Sequence, residues 1–159
     1  MIKLFAMDVD GTLTDGGIYM DGAGGEMKRF DVQDGQGIAQ LLRKGVKVVF
    51  ISGRFSAPTQ RRAEDLKITR CVNGIKDKLP ELEKIAAEFG TSAEEIAYVG
   101  DDLPDIDCIR WAGLGIAVAN ARPEVLEAAR YVTRSAGGRG AIRECADMII
   151  RINDGENIC

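Results

Sequence analysis

The sequence of 159 residues contains no histidine. This absence excludes nucleophile systems that pair Ser or Cys with His, and it excludes histidine as a general acid, a general base or a metal ligand. The four cysteines, Cys71, Cys108, Cys145 and Cys159, are far apart and form no C-x-x-C pair, so a zinc site is not expected either. Any catalysis must therefore depend on carboxylates, lysines or hydroxyls.

An excess of positive charge is also absent. Lys and Arg total 21 against 25 Asp and Glu, which gives a net charge of −4. Proteins that wrap nucleic acid usually carry the opposite sign, so we expect no nucleic-acid partner. The sequence also lacks an apolar run of roughly 18 residues, the length of a membrane span. Its N-terminus lacks the features of a signal peptide. We expect no membrane partner and a cytoplasmic protein with reduced thiols.

The elements that are present predict an α/β fold. Apolar residues make up 45% and charged residues 29%, which is typical of a globular chain, and the length suits a single domain over 1–159. Apolar β-type runs alternate with helical segments, which predicts a doubly wound, mostly parallel sheet. Predicted strands cover 2–9, 46–52, 68–72, 96–99 and 114–118, with a weaker sixth at 130–132. Predicted helices cover 38–43, 56–66, 77–89, 103–112 and 123–129. A glycine-rich stretch at about 16–34 predicts an inserted β-hairpin.

Two acidic residues follow the first predicted strand in the sequence Asp-Val-Asp-Gly-Thr. Alternation along a strand puts Asp8 and Asp10 on the same side, and Gly11 permits a sharp turn after them. Two carboxylates this close favour a cation between them, and Mg²⁺ prefers oxygen ligands. A solvated acidic turn is the alternative.

Polar residues also follow two other strands and begin one helix. The hydroxyl of Ser52 and the backbone N–H of Gly53 are suited to hold phosphoryl oxygens, although Ser-Gly is also ordinary turn chemistry. Lys78 stands at a helix start, where lysine is disfavoured by the helix dipole but can simply point into water.

The fourth strand also ends in acidic residues, Asp101 and Asp102, one of which could instead cap the next helix. Ligands of doubly wound sheets bind beyond the carboxyl ends of the strands, near the point where the strand order reverses. If the first and fourth strands are neighbours, Asp8, Asp10 and Asp101 converge on one metal ion.

In this order the four segments resemble the motifs of the haloacid dehalogenase superfamily of phosphotransferases. Asp8 to Thr12 resembles the first motif, Ser52 the second, Lys78 the third, and Gly100-Asp101-Asp102-x-x-Asp105 the fourth. The resemblance is closer to one family, the 3-deoxy-D-manno-octulosonate 8-phosphate phosphatases, and it covers almost the whole chain. It implies a Rossmann-like sheet of the haloacid dehalogenase type.

Two further stretches support the family resemblance, residues 31–37 and 131–144, whereas Thr12 stands where that family often has valine. Only 41 residues separate Asp10 from Ser52, and 25 separate Ser52 from Lys78, so no cap domain fits beside the hairpin. In the family a homotetramer covers the open site. The resemblance therefore implies a homotetramer in which a neighbour supplies a lid from residues 17–30 and 137–143; a flexible turn before a helix is the alternative for 137–140.

The resemblance also implies a reaction. Asp8 is the expected nucleophile that forms an aspartyl-phosphate, and Asp10 is the expected general acid and base. Mg²⁺ is expected on the Asp8 carboxylate, the Asp10 backbone carbonyl and Asp101, with Asp102 contributing directly or through water. Lys78 would offset negative charge. Ser52 and Gly53 would hold the phosphoryl oxygens.

The implied substrate is an acidic keto-sugar phosphate, whose carboxylate needs cations. The candidate cations are Arg54, Arg62, Lys28 and Arg139, with Thr12 and Gly53 as further substrate contacts. Arg54 favours the eight-carbon acid over a nine-carbon one, although it could equally be a surface residue. Three other classes of protein are alternatives: a receiver-like signalling domain, a nucleotide-binding Rossmann domain and a non-catalytic homologue. The first lacks an aspartate after the third strand and the second lacks G-x-G-x-x-G. The third would be expected to lose Asp8 or Asp10.

Overall fold

A six-stranded parallel sheet lies at the centre of the computed structural model, which describes residues 1–156. Within these residues the strands are β1 (Leu4–Met7), β2 (Tyr19–Met20), β3 (Glu26–Met27), β4 (Lys47–Ser52), β5 (Arg70–Asn73), β6 (Ile96–Gly100), β7 (Leu114–Ala117) and β8 (Tyr131–Val132). The strands β2 and β3 form a separate antiparallel hairpin between β1 and the first helix. The predicted α/β class and the inserted hairpin are confirmed.

Helices cover the sheet. They are α1 (Val32–Arg43), α2 (Ala57–Leu66), α3 (Lys78–Glu88), α4 (Ile106–Trp111), α5 (Pro123–Ala128) and α6 (Ala141–Asn153), with 3₁₀ turns at Ala93–Glu95 and Leu103–Asp105. Helix α1 packs against α6 and α2, while α3 packs against α4. This division follows from right-handed connections on a sheet whose strand order reverses direction. Within residues 1–156, no helix has both the length and the apolar composition that crossing a membrane would require.

The strand order places the first strand near the middle of the sheet. The order is β5-β4-β1-β6-β7-β8, so the chain moves outward from β1 in one direction and then returns to the other side of it. Met7 pairs with Phe50 of β4 and with Val99 of β6. The first and fourth predicted strands are therefore neighbours, and the reversal point lies at the carboxyl end of β1.

The beginning of α1 differs from the sequence prediction. The helix starts at Val32 instead of residue 38, and Asp31 caps it by accepting a hydrogen bond from the Gln33 backbone N–H at 2.7 Å. The hairpin insertion therefore ends before residue 34. Gly37 lies inside the helix, where α6 approaches it closely. A Cβ atom at Gly37 would be 3.0 Å from Cβ of Ala146.

A buried carboxylate joins the N-terminus of α6 to α1. Asp34 is fully buried, and its Oδ1 accepts a hydrogen bond from the Arg143 backbone N–H at 2.9 Å. The N-cap residue of α6 is Gly140, which has no side chain to satisfy these backbone donors. Burial raises the pKa of Asp34, although the backbone N–H groups at the start of α6 oppose that rise. Asp34 thus supplies the cap that α6 lacks, at the cost of burying a charge.

Three of the cysteines are free thiols: Cys71 is half-buried, and Cys108 and Cys145 are buried. Burial raises the pKa of Cys71 and that of Cys108, the latter to about 12. These thiols are therefore protonated and unreactive at neutral pH. Cys159 lies outside the described residues.

The raised pKa of Asp34 predicts a pH dependence of stability. Because the folded chain holds this proton more tightly than the unfolded chain, the contribution of Asp34 to the free energy of unfolding is fully present below its ordinary pKa of 3.8. It is lost as the pH rises through the raised value. The amide of an Asp34→Asn variant does not titrate, so the unfolding free energy of the wild type relative to the variant should fall with rising pH. Urea unfolding from about pH 3 to 7 measures this difference; a difference that stays constant or grows would contradict the prediction.

Candidate active site

The site lies where β1 and β6 end side by side. The backbone N–H of Asp8 donates to the Val99 carbonyl at 3.1 Å, so Asp8 and Asp101 leave the sheet next to each other. Gly11 has a φ of +86°, and a Cβ atom there would overlap the Asp101 carboxylate. Glycine at this position therefore lets the loop after β1 turn closely over the end of β6.

A buried lysine connects two of the carboxylates. Nζ of Lys78 donates to Oδ1 of Asp8 at 2.6 Å and to Oδ1 of Asp105 at 2.8 Å, and all three side chains are less than a tenth exposed. Although burial lowers the pKa of Lys78, the attraction of Asp8 and Asp105 raises it above its ordinary value. The lysine at the start of α3 therefore points into the site as a cation, and not into water.

Both carboxylate oxygens of Asp105 accept hydrogen bonds from other groups of the protein. Its Oδ1 also accepts from the buried Tyr98 hydroxyl at 2.7 Å, and its Oδ2 accepts from the backbone N–H groups of Asp101 and Asp102 at 3.0 and 3.2 Å. Asp105 belongs to the fourth motif, but no role was predicted for it. In the structure it orders Lys78 and the loop after β6.

The carboxyl groups of Asp8 and Asp101 face each other. Burial and then the negative charge of Asp105 raise the pKa of Asp8 well above its ordinary value, while Lys78 opposes the rise. Burial also raises the pKa of Asp101. Carboxylate oxygens of Asp8, Asp101 and Asp105 lie within 4.8 Å of one another. Two facing acids in a buried place need either a proton or a cation between them, and an all-oxygen donor set suits Mg²⁺. The residues present therefore fit a magnesium ion.

Asp102 is less well placed to bind a magnesium ion than Asp8 and Asp101. Its carboxylate caps its own 3₁₀ turn by accepting from the Leu103 backbone N–H at 2.7 Å, and the residue is exposed. Asp102 borders the cleft, but it is outside the carboxylate cluster of Asp8, Asp101 and Asp105. Its side chain is engaged in the turn, and its contribution to the metal site, directly or through water, stays a prediction.

A cleft of about 540 Å³ opens above these carboxylates. Of the residues predicted from the sequence, it is lined by Asp8, Asp10, Gly53, Arg54, Lys78, Asp101 and Asp102. Lys76 and Ile18 also line it and were not predicted. Lys76 lies just before Lys78 in the loop between β5 and α3, where its exposed position gave no signal. The cleft lining therefore combines carboxylates with cations.

Two predicted phosphate or substrate contacts are buried beside the cleft. The Thr12 hydroxyl donates to Oδ1 of Asp101 at 3.0 Å, and the Ser52 hydroxyl donates to the Arg54 carbonyl at 2.9 Å. Thr12 thus orients a carboxylate of the metal position, and its contact with substrate stays a prediction. Ser52 would have to exchange its present partner to reach a phosphoryl oxygen.

Three predicted substrate cations are outside the cleft lining. Arg62 donates to the Asp31 carbonyl at 3.4 Å and its guanidinium lies over the Phe30 ring. Arg139 is largely exposed, with Nη2 3.7 Å from the Asp15 carboxylate. The side chain of Lys28 is fully buried, with Nζ 2.7 Å from Oδ1 of Asp10. In this subunit protein groups lie beside the charged ends of all three residues, and their direct binding of substrate stays a prediction.

Arg54 does reach the cleft, and the hairpin holds it there. Its Nη1 and Nη2 donate to the two carboxylate oxygens of Glu26 on β3 at 2.9 and 2.8 Å. The same carboxylate accepts from the Ser56 hydroxyl at 3.2 Å. These hydrogen bonds, from Arg54 first, hold the pKa of Glu26 below its usual range. The hairpin is thus fastened to the loop after β4 beside the cleft.

The glycine-rich segment before α6 packs against the loop after β1 of its own chain. Gly137 N–H donates to Oδ1 of Asn120 at 2.6 Å, and Nδ2 of Asn120 donates to the Gly11 carbonyl at 3.1 Å. A Cβ atom at Gly137 would overlap that carbonyl, so the approach requires glycine. Gly137 and Gly138 are thus fixed against their own subunit, and a lid over a neighbour's site stays a prediction.

Asn120 was not predicted, and it offers a test of this packing. An Asn120→Ala substitution removes both bridging bonds, which should lower the free energy of unfolding by about 1–3 kcal/mol. It should also lower the activity per folded molecule, because the Gly11 loop carries Asp8 and Asp10. Asn153 makes a matched control, since its amide bridges the backbone N–H and carbonyl of Ile2 at 2.7 and 2.8 Å, away from the cleft. Asn153→Ala should lose stability alone; equal activity of the two folded variants would argue against a role for Asn120 in the site.

Comparison with known proteins identifies the family. Residues 72–144 match the family model of haloacid dehalogenase-like hydrolases. The chain is 43% identical over 153 residues to the 3-deoxy-D-manno-octulosonate 8-phosphate phosphatase KdsC of Yersinia pestis, covering 96% of this chain and 82% of that protein. It is 42% identical over 149 residues to KdsC of Escherichia coli K12, with 94% and 79% covered.

Solved structures agree with these sequence relatives. The 3-deoxy-D-manno-octulosonate 8-phosphate phosphatase of Moraxella catarrhalis, in complex with a magnesium ion, a phosphate ion and a KDO molecule, superposes with a TM-score of 0.92 at 43% identity, over 94% of this chain and 86% of that one. The cobalt-bound form of the Haemophilus influenzae phosphatase superposes with a TM-score of 0.93 at 38% identity, over 96% and 90%. The chain therefore belongs to the haloacid dehalogenase-like hydrolases and, among them, to the family of 3-deoxy-D-manno-octulosonate 8-phosphate phosphatases.

Proposed function

We propose that this protein is a Mg²⁺-dependent phosphatase that hydrolyses 3-deoxy-D-manno-octulosonate 8-phosphate to the free sugar acid and phosphate. The observation that carries the proposal is the Asp8 carboxylate at the base of the cleft, held at Oδ1 by Lys78 and facing Asp101. The relatives with this activity match along nearly the whole chain. The reaction fits a site built from carboxylates and lysine without histidine.

Asp8 is the nucleophile in this proposal. Lys78 binds Oδ1, which leaves Oδ2 to attack phosphorus in line with the departing sugar oxygen. The bond from phosphorus to the sugar oxygen breaks as the aspartyl-phosphate forms. Lys78 also places a positive charge beside two negative groups that must approach each other.

Asp10 moves the proton in both steps. Its carboxyl gives a proton to the departing sugar oxygen and later takes one from the water that hydrolyses the aspartyl-phosphate, which restores Asp8. Asp8 and Asp101 are the side chains proposed to hold the magnesium ion, with Thr12 fixing Asp101. When bound, the ion neutralises charge on the phosphoryl oxygens and orients them toward Asp8.

The substrate carboxylate has two cations available at the cleft, Arg54 and Lys76. A guanidinium matches a carboxylate in geometry, so Arg54 is the preferred contact, once its hydrogen bonds to Glu26 are exchanged. Gly53 is proposed to bind phosphoryl oxygens through its backbone N–H, with Ser52 assisting if its hydroxyl turns from the Arg54 carbonyl. A nine-carbon keto acid 9-phosphate is the alternative substrate, since it carries the same carboxylate and phosphate.

Phosphate release from a panel of sugar phosphates tests the proposal. With Mg²⁺ present, we expect the eight-carbon acid to be hydrolysed with a higher kcat/KM than the nine-carbon acid or neutral sugar phosphates, and chelation of Mg²⁺ should abolish release. Asp8→Asn should reduce turnover by about a thousandfold or more, because the nucleophile is removed.

The matched control is Asp107→Asn, an exposed aspartate on α4. It should retain full activity, which separates the loss of a nucleophile from the loss of one negative charge. Substantial turnover by a folded Asp8→Asn variant would sink the nucleophile assignment. A preference for the nine-carbon acid would keep the chemistry and replace the substrate.

We also propose that the protein forms a homotetramer in which the hairpin of one subunit covers the site of a neighbour. The hairpin exposes three large apolar side chains: Tyr19 at 65% and Met27 at 67%, which pair on its outer face, and Met20 at 72%, which pairs with Glu26. Apolar side chains grouped on so small an element favour burial against another surface. The inner face is already attached to Arg54, so the outer face is the one left for a second copy of the chain.

Substitution of Tyr19, Met20 and Met27 by Ser should shift the tetramer to smaller species in sedimentation equilibrium. If the neighbour's hairpin is a lid, the same variant should lose selectivity among sugar phosphates while it keeps hydrolysis of a small aryl phosphate. Val32→Ser removes an exposed apolar side chain from α1 and serves as control. A wild-type chain that sediments as a monomer would refute the assembly.

Two broader expectations remain proposals. We propose a single domain over 1–159, supported by Asn153 near the end of α6, which binds the backbone of Ile2 next to β1. We propose a cytoplasmic location, supported by thiols that are buried and unpaired at Cys108 and Cys145.

A further inference from the structure

The guanidinium of Arg54, which lines the cleft, is already paired with a carboxylate of its own chain. Its Nη1 and Nη2 donate to the two oxygens of Glu26 at 2.9 and 2.8 Å, which is the two-point geometry in which arginine binds a carboxylate. The side chain of Arg54 is 43% exposed and that of Glu26 only 16%. Glu26 therefore occupies, from the protein side, the same two donors that a carboxylate in the cleft would use.

We propose that Glu26 is a specificity-determining residue that competes with the substrate carboxylate for Arg54. A substrate carboxylate has the same charge and the same pair of acceptor oxygens as Glu26, so it can replace Glu26 on the guanidinium like for like. A neutral group lacks that charge and leaves Arg54 bound to Glu26. The inference rests on the proposed function, in which Arg54 binds the carboxylate of the substrate.

Glu26 keeps other partners when it releases Arg54. The Ser56 hydroxyl donates to its Oε2 at 3.2 Å, and Nζ of Lys28 lies 3.9 Å from the same oxygen. A largely buried carboxylate that lost every partner would oppose the exchange strongly, because its charge would be left without compensation. Ser56 and Lys28 reduce that penalty. The exchange of one carboxylate for another on Arg54 is therefore feasible.

The competition acts on substrate and product alike. The sugar acid keeps its carboxylate after the phosphate has been removed, so the product also binds Arg54 in place of Glu26. The return of Glu26 to Arg54 then favours release of the product. Glu26 thus weakens the binding of the acid before the reaction and assists its departure afterwards.

Two matched substrates test the proposal: the eight-carbon acid 8-phosphate and its carboxamide, in which a neutral group of similar shape replaces the carboxylate. In Glu26→Gln we expect KM for the acid to fall about three- to tenfold and KM for the carboxamide to change less than about twofold, since a partly exposed competing charge is removed. The value of kcat should stay within about twofold for both, because Glu26 contacts no reacting atom.

Glu88→Gln is the matched control. Its carboxylate also accepts from an arginine, Arg70, at 2.6 Å, but neither residue lines the cleft. This variant should change neither KM. It separates the loss of competition at Arg54 from the loss of one negative charge and one ion pair.

The direction of the change in KM decides the role of Glu26. A higher KM for the acid would show that Glu26 holds Arg54 in place for the substrate. An equal change for acid and carboxamide would show that Glu26 only anchors the hairpin, and no change in either would remove it from recognition. Each of these three results overturns the proposal.

A second variant covers the case in which Glu26→Gln does not fold. Glu26→Asp keeps the charge, but its side chain is one methylene shorter and cannot make both hydrogen bonds to Arg54 at their present lengths. KM for the acid should then fall about twofold, while that for the carboxamide stays the same. An unchanged ratio of the two KM values in this variant overturns the proposal as well.

Binding of the free sugar acid separates this outcome from that of the proposed function, because it requires no turnover. In calorimetric titration, the dissociation constant of the free acid should fall in Glu26→Gln by the same factor as KM, and an unchanged or higher constant overturns the proposal. Hydrolysis by the wild type judges the reaction and the substrate. If the nine-carbon acid is preferred, the same measurements use that acid and its carboxamide, since it carries the same carboxylate.

Discussion

The buried ammonium of Lys78 is the interaction on which the site depends. A lysine removed from water needs negative partners, and Asp8 and Asp105 provide them from two different segments of the chain. This requirement draws the start of α3 toward the ends of β1 and β6. It also orients Asp8, because one of its oxygens is held by Lys78. In the proposed reaction, the same charge would assist an anionic nucleophile against an anionic substrate.

The sheet topology makes that meeting possible. Because β1 lies between β4 and β6, loops that are distant in sequence leave the sheet at adjacent points. The loop after β4 contributes Gly53 and Arg54, and the loop after β6 contributes Asp101. Asp105 then connects this edge to the core through Tyr98. An acidic cluster of this kind is unstable by itself, as the raised pKa of Asp8 shows, and it is suited to bind a cation.

The sequence predicted the parts of this arrangement that depend on strand ends. Asp8 and Asp101 could be placed because a parallel sheet brings its carboxyl ends to one edge, whereas Lys78 begins a helix and its place in the site followed from the family resemblance. Long side chains were harder, since the direction of Lys28 or Arg62 depends on neighbours that only the folded chain supplies. The early start of α1 was missed for a similar reason, because Gly35 and Gly37 lie at contacts with α2 and α6 that only the folded chain supplies. Helix α6 was not among the predicted helices, although its apolar residues recur at helical spacing from Ile142 to Ile149 and indicate a helix there.

The hairpin lies beside the cleft of its own subunit and contacts it at two points. Its outer face is apolar and exposed, while Glu26 on β3 lies beside Arg54, and Lys28, just after β3, lies beside Asp10. One short segment therefore contacts both the cation proposed for the substrate carboxylate and the carboxyl proposed for proton transfer. Because the two residues are only two positions apart, movement of this segment would change both contacts together.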